Sequence, residues 1–348
     1  MQFKYIATGV GSLPHTEVVA GCELALSCCP QGPFWPTLPK ADFRENMYVQ
    51  FSEGLPRVQL DPERQRVVFD CDGDLTEDLT AFYEKVLADD VDSFACGEEY
   101  ARGLYYMMDA LADFGEERQF VKGQVTGPFS FGLTATDTHN RPILFNDEMA
   151  DAIVQGVAMK ARWQVRKLSE LGLPVVVFID EPYFASLGSA YVPIGREQAV
   201  PMLQTVVSAI HQEEGICGVH CCGNTDWSAV IETGTDIMNF DAYAYFEGVS
   251  LYGEQVRTFL ERGGTLAWGI VPTDENVLRE TPDLLCARLD GCVESLVARG
   301  IPEELLRISM ILTSSCGLAP AEVQAAERAL RLTAELAEIA RPAHCGVK

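Results

Sequence analysis

No stretch of this 348-residue sequence approaches the roughly 20 consecutive apolar residues of a membrane-spanning helix, which argues against a transmembrane protein. Basic residues are scarce, 26 Lys and Arg against 51 Asp and Glu, for a net charge of −25. A surface that acidic repels phosphate backbones and anionic lipid headgroups, so neither nucleic acid nor a membrane is expected as partner. No low-complexity tract or linker divides the chain, and the glycine-rich turn near its start has neither GxGxxG nor P-loop spacing. The N-terminal MQFKYIATGVGSLPHT carries one lysine and then a strand-like run interrupted by glycines, which does not suit a signal peptide. A cytoplasmic protein is the expectation.

Apolar residues make up 47% of the sequence, ample for a sizeable core, and there are twelve cysteines. Disulfide frameworks belong to short, loop-rich secreted chains, whereas this chain is long and periodic, so most of the cysteines read as small core residues. Short apolar runs predict buried parallel strands at Tyr5–Gly9, Phe34–Leu38, Gln119–Val125, Pro174–Asp180, Ile216–His220, Asp236–Asp241, Thr265–Ile270 and Leu306–Leu312. Helical patterns alternate with them, among them Thr16–Ser27, Phe43–Glu53, Asp147–Leu171, Arg196–Glu213, Tyr252–Arg262, Asp283–Arg299 and Pro320–Ala340. Eight strands alternating with helices are the count of a (β/α)8 TIM barrel, with a doubly wound sheet as the competing arrangement. The long excursion at about 55–117, with the hairpin-like VQLDPERQRVVFD and helical stretches at Leu75–Leu87 and Glu98–Phe114, reads as an insertion after the second strand. The chain is expected to form a single domain.

The sharpest local signal is ICGVHCCGNTDW, residues 216–227, where a strand rises into a glycine turn. Residues two apart on a strand face the same way, so His220 and Cys222 can reach one metal ion while Cys221 turns into the core. The last strand ends in SSCGLAP and delivers Cys316 to the same C-terminal end of the sheet, where barrels build their sites. Two soft sulfurs and an imidazole suit Zn²⁺, and three protein ligands with a fourth position open describe a catalytic zinc site. On the same rim PVVVFIDEP delivers Asp180 and Glu181, read as carboxylates for a cationic group on substrate, and DIMNFD delivers Asp241, a further metal ligand or a partner to His220. In TGVGSLPHT, Gly11 lets backbone approach a ligand and Ser12 can donate to a carboxylate.

Taken in chain order, these motifs resemble the superfamily joining cobalamin-independent methionine synthase to uroporphyrinogen decarboxylase. GVGSLPHT resembles the turn with which the methionine synthase catalytic barrel holds homocysteine's carboxylate, and FRENMYVQFSEGL the helix after its second strand. VTGP, IDEP, the His-x-Cys turn and the late SCGL complete the set. The resemblance implies an S-methyltransferase in which zinc activates a thiol, homocysteine giving methionine, for attack on a methyl donor. It implies His220, Cys222 and Cys316 as ligands, Asp241 in place of a family glutamate ligand, Ser12 on the substrate carboxylate and Asp180 on its ammonium. A second family glutamate for the amino group falls on Lys40, Ala41 or Asp42. FSFGLTATD has no tryptophan where the family stacks methylfolate, so the donor is either 5-methyltetrahydrofolate or a methylcorrinoid, the latter on a carrier protein. HCCGNTDW also resembles corrinoid:coenzyme M methyltransferases, which use the same ligand types for another thiol. A uroporphyrinogen-decarboxylase-like protein would have no use for the His/Cys/Cys set. A non-catalytic zinc- or corrinoid-binding barrel would have none for the clamp at Asp180 and Ser12.

Overall fold

A computed structural model describes residues 2–112, 117–189 and 192–344. Among the described residues ten strands follow one another: β1 Lys4–Ala7, β2 Val58–Asp61, β3 Arg66–Phe69, β4 Val121–Thr126, β5 Thr136–Asp137, β6 Val175–Asp180, β7 Ile216–Cys221, β8 Ile237–Phe240, β9 Thr265–Val271 and β10 Met310–Ser314. Seven form one curled, all-parallel sheet in the order β1-β10-β9-β8-β7-β6-β4. The order never reverses, unlike that of a doubly wound sheet. The strands are almost wholly buried because helices cover the outer face, which is why they read as continuous apolar runs.

The closed eight-stranded barrel is not completed by a continuous ladder. The segment expected as the second strand touches each sheet edge at a single point, Ser12 with Thr37 on one side and Phe34 with Lys122 on the other. Trp35 N donates to Lys122 O at 3.2 Å and Thr37 N to Gly11 O at 3.1 Å, but Pro33, Pro36 and Pro39 have no N–H to donate, so no regular strand forms.

The other strands and helices lie within a few residues of their expected positions, with three notable departures. The start of the predicted strand Leu306–Leu312 is a helical turn, Glu303–Ile308, with acidic residues in its first turn and Arg307 paired to Glu303 at 2.6 Å. The pattern at Phe43–Glu53 breaks into a 3-10 turn, Phe43–Glu45, and one α-turn, Met47–Gln50, each started by its own side-chain cap, Asp42 and Asn46. A short helix at Pro128–Thr134 was not expected. The excursion after the second segment holds the hairpin β2–β3 and helices Thr76–Leu87 and Arg102–Leu111; residues 113–116, including the end of the longer helix expected there, lie outside the described ones. β3 also pairs with β5, tying the excursion to the loop beyond β4. Among the described residues no helix is long and apolar enough to cross a membrane.

Candidate metal centre

Parallel register builds the site one strand at a time. Thr126 on β4 faces Asp180 on β6, Asp180 faces His220 on β7, and His220 faces Asn239 on β8. This row lies at the C-terminal ends of the strands, around a cavity of about 280 Å³ lined by Gly11, Ser12, Glu45, Asp180, His220, Cys222 and Cys316, with Val10, Met47 and Phe51 among its apolar walls.

His220, Cys222 and Cys316 come together there, with their ligand atoms all within 4.8 Å of one another. His220 is buried, 3% exposed, and its Nδ1 lies 2.5 Å from Asn239 Oδ1, while Nε2 has no hydrogen-bond partner among the described residues. A buried imidazole nitrogen left unpaired is costly unless a ligand takes it. The neighbouring Cys316 thiol and the His220 ring hold the Cys222 thiol down at about 4, against burial that would raise it. Cys316 is pushed up by its neighbour Cys222 and by burial. His220 is raised: burial opposes its charge, but Cys222, Asp180 and Asn239 together outweigh it. Two sulfurs beside a buried imidazole are a donor set suited to Zn²⁺.

Asp241 is not in this cluster. Its carboxylate accepts the N–H of Ala244 at 2.8 Å, fixing the turn after β8. Burial raises it to about 6, against those backbone N–H groups. Glu181 does not face the cavity either. It is fully buried and accepts Phe129 N at 3.0 Å, Ser130 N at 2.9 Å and Ser130 Oγ at 2.5 Å, so it caps the N-terminus of helix Pro128–Thr134. Burial still drives it up to about 7.

Asp180 lines the cavity, and its Oδ1 is buried with no hydrogen-bond partner among the described residues. Burial raises it to about 6, while His220 and Lys122 pull it down. Lys122, invisible as a site residue in the sequence, is wholly buried beneath the cavity; its Nζ donates to Val10 O at 2.7 Å, and burial lowers it to about 7. Ser12 lines the cavity as expected, with its hydroxyl accepting Ala319 N at 3.4 Å. A Cβ at Gly317 would lie 2.4 Å from Ser12 Oγ, so a side chain there would have to push that hydroxyl aside.

Glu45 was missed. Of the positions considered for the second carboxylate, Lys40 donates to Ala321 O and Asp42 caps the turn, whereas Glu45 is the acid that reaches the cavity wall. Its oxygens accept Leu38 N at 2.7 Å and Arg102 Nε at 2.8 Å, and burial raises it against both. No local spacing marks Glu45, because the groups that hold it, Leu38 N–H and Arg102, include one 57 positions away.

The fold and site define a curled parallel α/β protein with a soft-donor cluster at the strand C-termini. No family model matches the chain, and no curated protein matches it either. Among solved structures, a B12-independent methionine synthase from Shewanella sp. W3-18-1 in complex with selenomethionine is similar at 17% identity and TM-score 0.45, over 64% of this chain and 62% of that one. The ochratoxinase of A. niger is similar at 15% identity and TM-score 0.25, over 49% of this chain and 41% of that one.

Proposed function

We propose that the protein is a zinc-dependent S-methyltransferase whose acceptor is a thiol carried on an α-amino acid, homocysteine being the expected one. The observation that carries the reading is the unpaired Nε2 of buried His220 beside the thiols of Cys222 and Cys316, at the wall of a cavity that also holds Asp180. His220, Cys222 and Cys316 would hold the metal, leaving its fourth position for the substrate. When bound, zinc supplies the charge that lowers a thiol's pKa from near 8.5 and makes it a nucleophile at neutral pH.

The remaining residues place the acceptor. Asp180 and Glu45 receive its ammonium group, and Ser12 donates to its carboxylate. Burial of Asp180 and Glu45 strengthens their pull on a cation once water is displaced. The apolar walls keep the site dry around the sulfur. The lining supports this choice of acceptor: among the described residues it includes two carboxylates, Asp180 and Glu45, and no lysine or arginine, which suits an ammonium-bearing thiol better than a sulfonate such as coenzyme M. The methyl donor is a methylcorrinoid, delivered by a carrier protein, or 5-methyltetrahydrofolate.

The test is a metal analysis joined to an activity screen. Purified protein is expected to retain about one zinc per chain, lost in Cys316→Ser and His220→Ala. Homocysteine and coenzyme M are then crossed with methylcobalamin and methyltetrahydrofolate. Undiminished zinc in either variant refutes the ligand set. Bound zinc with no thiol ever methylated favours a non-catalytic metal-binding protein.

A further inference from the structure

We propose that Asn239 is a positioning residue that fixes the tautomer of His220, within a directional chain of hydrogen bonds crossing four neighbouring strands. The inference rests on the reading of His220 as a metal ligand, and deepens it.

The chain starts at Thr313 on β10, whose hydroxyl donates to Ser314 O at 2.8 Å. With its proton committed, that oxygen can only accept, and it accepts from Asn239 Nδ2 at 3.0 Å. The second amide proton of Asn239 goes to Ala267 O on β9 at 2.9 Å. Both amide protons thus meet acceptors on one side. Turning the amide over would set its oxygen against the Ala267 carbonyl and waste both bonds. The Asn239 oxygen therefore faces His220, 2.5 Å from Nδ1, and demands a proton there. The neutral ring is left with its lone pair on Nε2, the nitrogen without a partner.

Asn239 is completely buried in a strand otherwise made of Ile237, Met238 and Phe240. A polar group so placed destabilises a strand core unless it is fully bonded. Here every amide proton and the carbonyl oxygen are used, and the only free end of the chain opens on the candidate metal site. Partners of this kind around metal-bound histidines are typically worth 10- to 100-fold in affinity.

The experiment uses the full chain labelled with ¹⁵N-histidine, with Asn239→Leu, Asn239→Asp and Thr313→Val beside the wild type. Metal-free protein is first observed by ¹⁵N NMR above the pH at which the His220 ring loses its second proton. The wild type is expected to carry its remaining proton on Nδ1; a proton on Nε2 overturns the proposal. Zinc affinity is then measured by competition with a chromophoric chelator. N239L is expected to bind about 10- to 100-fold more weakly. N239D, which keeps an acceptor facing the ring, should stay within severalfold of the wild type. T313V, which frees the amide to turn without touching His220, guards against misfolding of N239L and should show mixed tautomers and intermediate affinity. Wild-type affinity in both N239L and T313V, or no rescue in N239D, overturns the proposal. A wild type that shows the Nδ1 tautomer yet binds no zinc upholds the chain of hydrogen bonds and removes the metal reading instead.

Discussion

Glu181 and Gly127 meet so closely that any side chain at position 127 would have to push the glutamate aside: a Cβ there would lie 2.0 Å from the Glu181 carboxyl carbon. The glutamate at the end of β6 has turned away from the cavity to grip the start of the helix that follows β4. Two motifs that read as separate site signals, VTGP and IDEP, are thereby one packing unit.

Glu181→Ala is expected to cost about 3 kcal/mol of stability, because buried donors at Phe129 and Ser130 lose a charged acceptor. Gly127→Ala should cost about 1–3 kcal/mol by overpacking. Zinc content should be unchanged in both. Chemical denaturation with metal analysis checks this, and zinc loss in a still-folded Glu181→Ala would return that side chain to the site.

Asp180→Asn and Glu45→Gln are each expected to raise the KM for an amino-acid thiol about 10- to 100-fold, since hydrogen bonds to charged groups contribute about 1.5–3 kcal/mol. Steady-state kinetics with homocysteine and with an analogue lacking the amino group separates this from a general defect. The variants should lose their disadvantage with the analogue. Equal losses on both substrates would sink the ammonium clamp.

Asp241→Ala should keep its zinc and lose about 1 kcal/mol of stability, the value of a lost side-chain cap. Zinc stoichiometry after dialysis decides the matter. Loss as complete as in Cys316→Ser would make Asp241 a fourth ligand.

A pH-dependent increment is expected at His211, whose Nε2 lies 2.7 Å from Asp236. That hydrogen bond raises its pKa above the ordinary 6.5. The folded chain thus holds the proton more tightly than the unfolded one, so the pair stabilises fully below pH 6.5 and the gain fades as pH climbs through the raised value. Both side chains are partly exposed, which limits the gain to a fraction of a kcal/mol. Urea titrations of His211→Gln should differ from the wild type more at pH near 5.5 than at pH near 9; a pH-independent difference refutes the pairing.

Much of this molecule is written in local patterns. Continuous apolar runs such as VVVFI and TLAWGIV could only be strands buried on both faces, and they are. The approach of His220 and Cys222 follows from the period of a strand, and Cys316 from its place at the end of another. Asn239 was also legible in principle: an amide in a wholly apolar strand must find partners, although nothing local names them. Pro33, Pro36 and Pro39 likewise announce in sequence that the second strand cannot form a ladder, though not that it still bridges both edges.

What the chain alone determined was which residues lie at the strand ends, since periodicity and chemical type are properties of neighbours in sequence. Only the tertiary structure decided which way their side chains turn. Glu181 and Asp180 are consecutive, so the pleat sends them to opposite faces, but only packing decides that one meets the start of the helix after β4 and the other the cavity. Glu45 reaches the cavity because Arg102, 57 positions away, and the Leu38 N–H hold it there. Such contacts depend on distances across the fold, and no spacing along the chain encodes them.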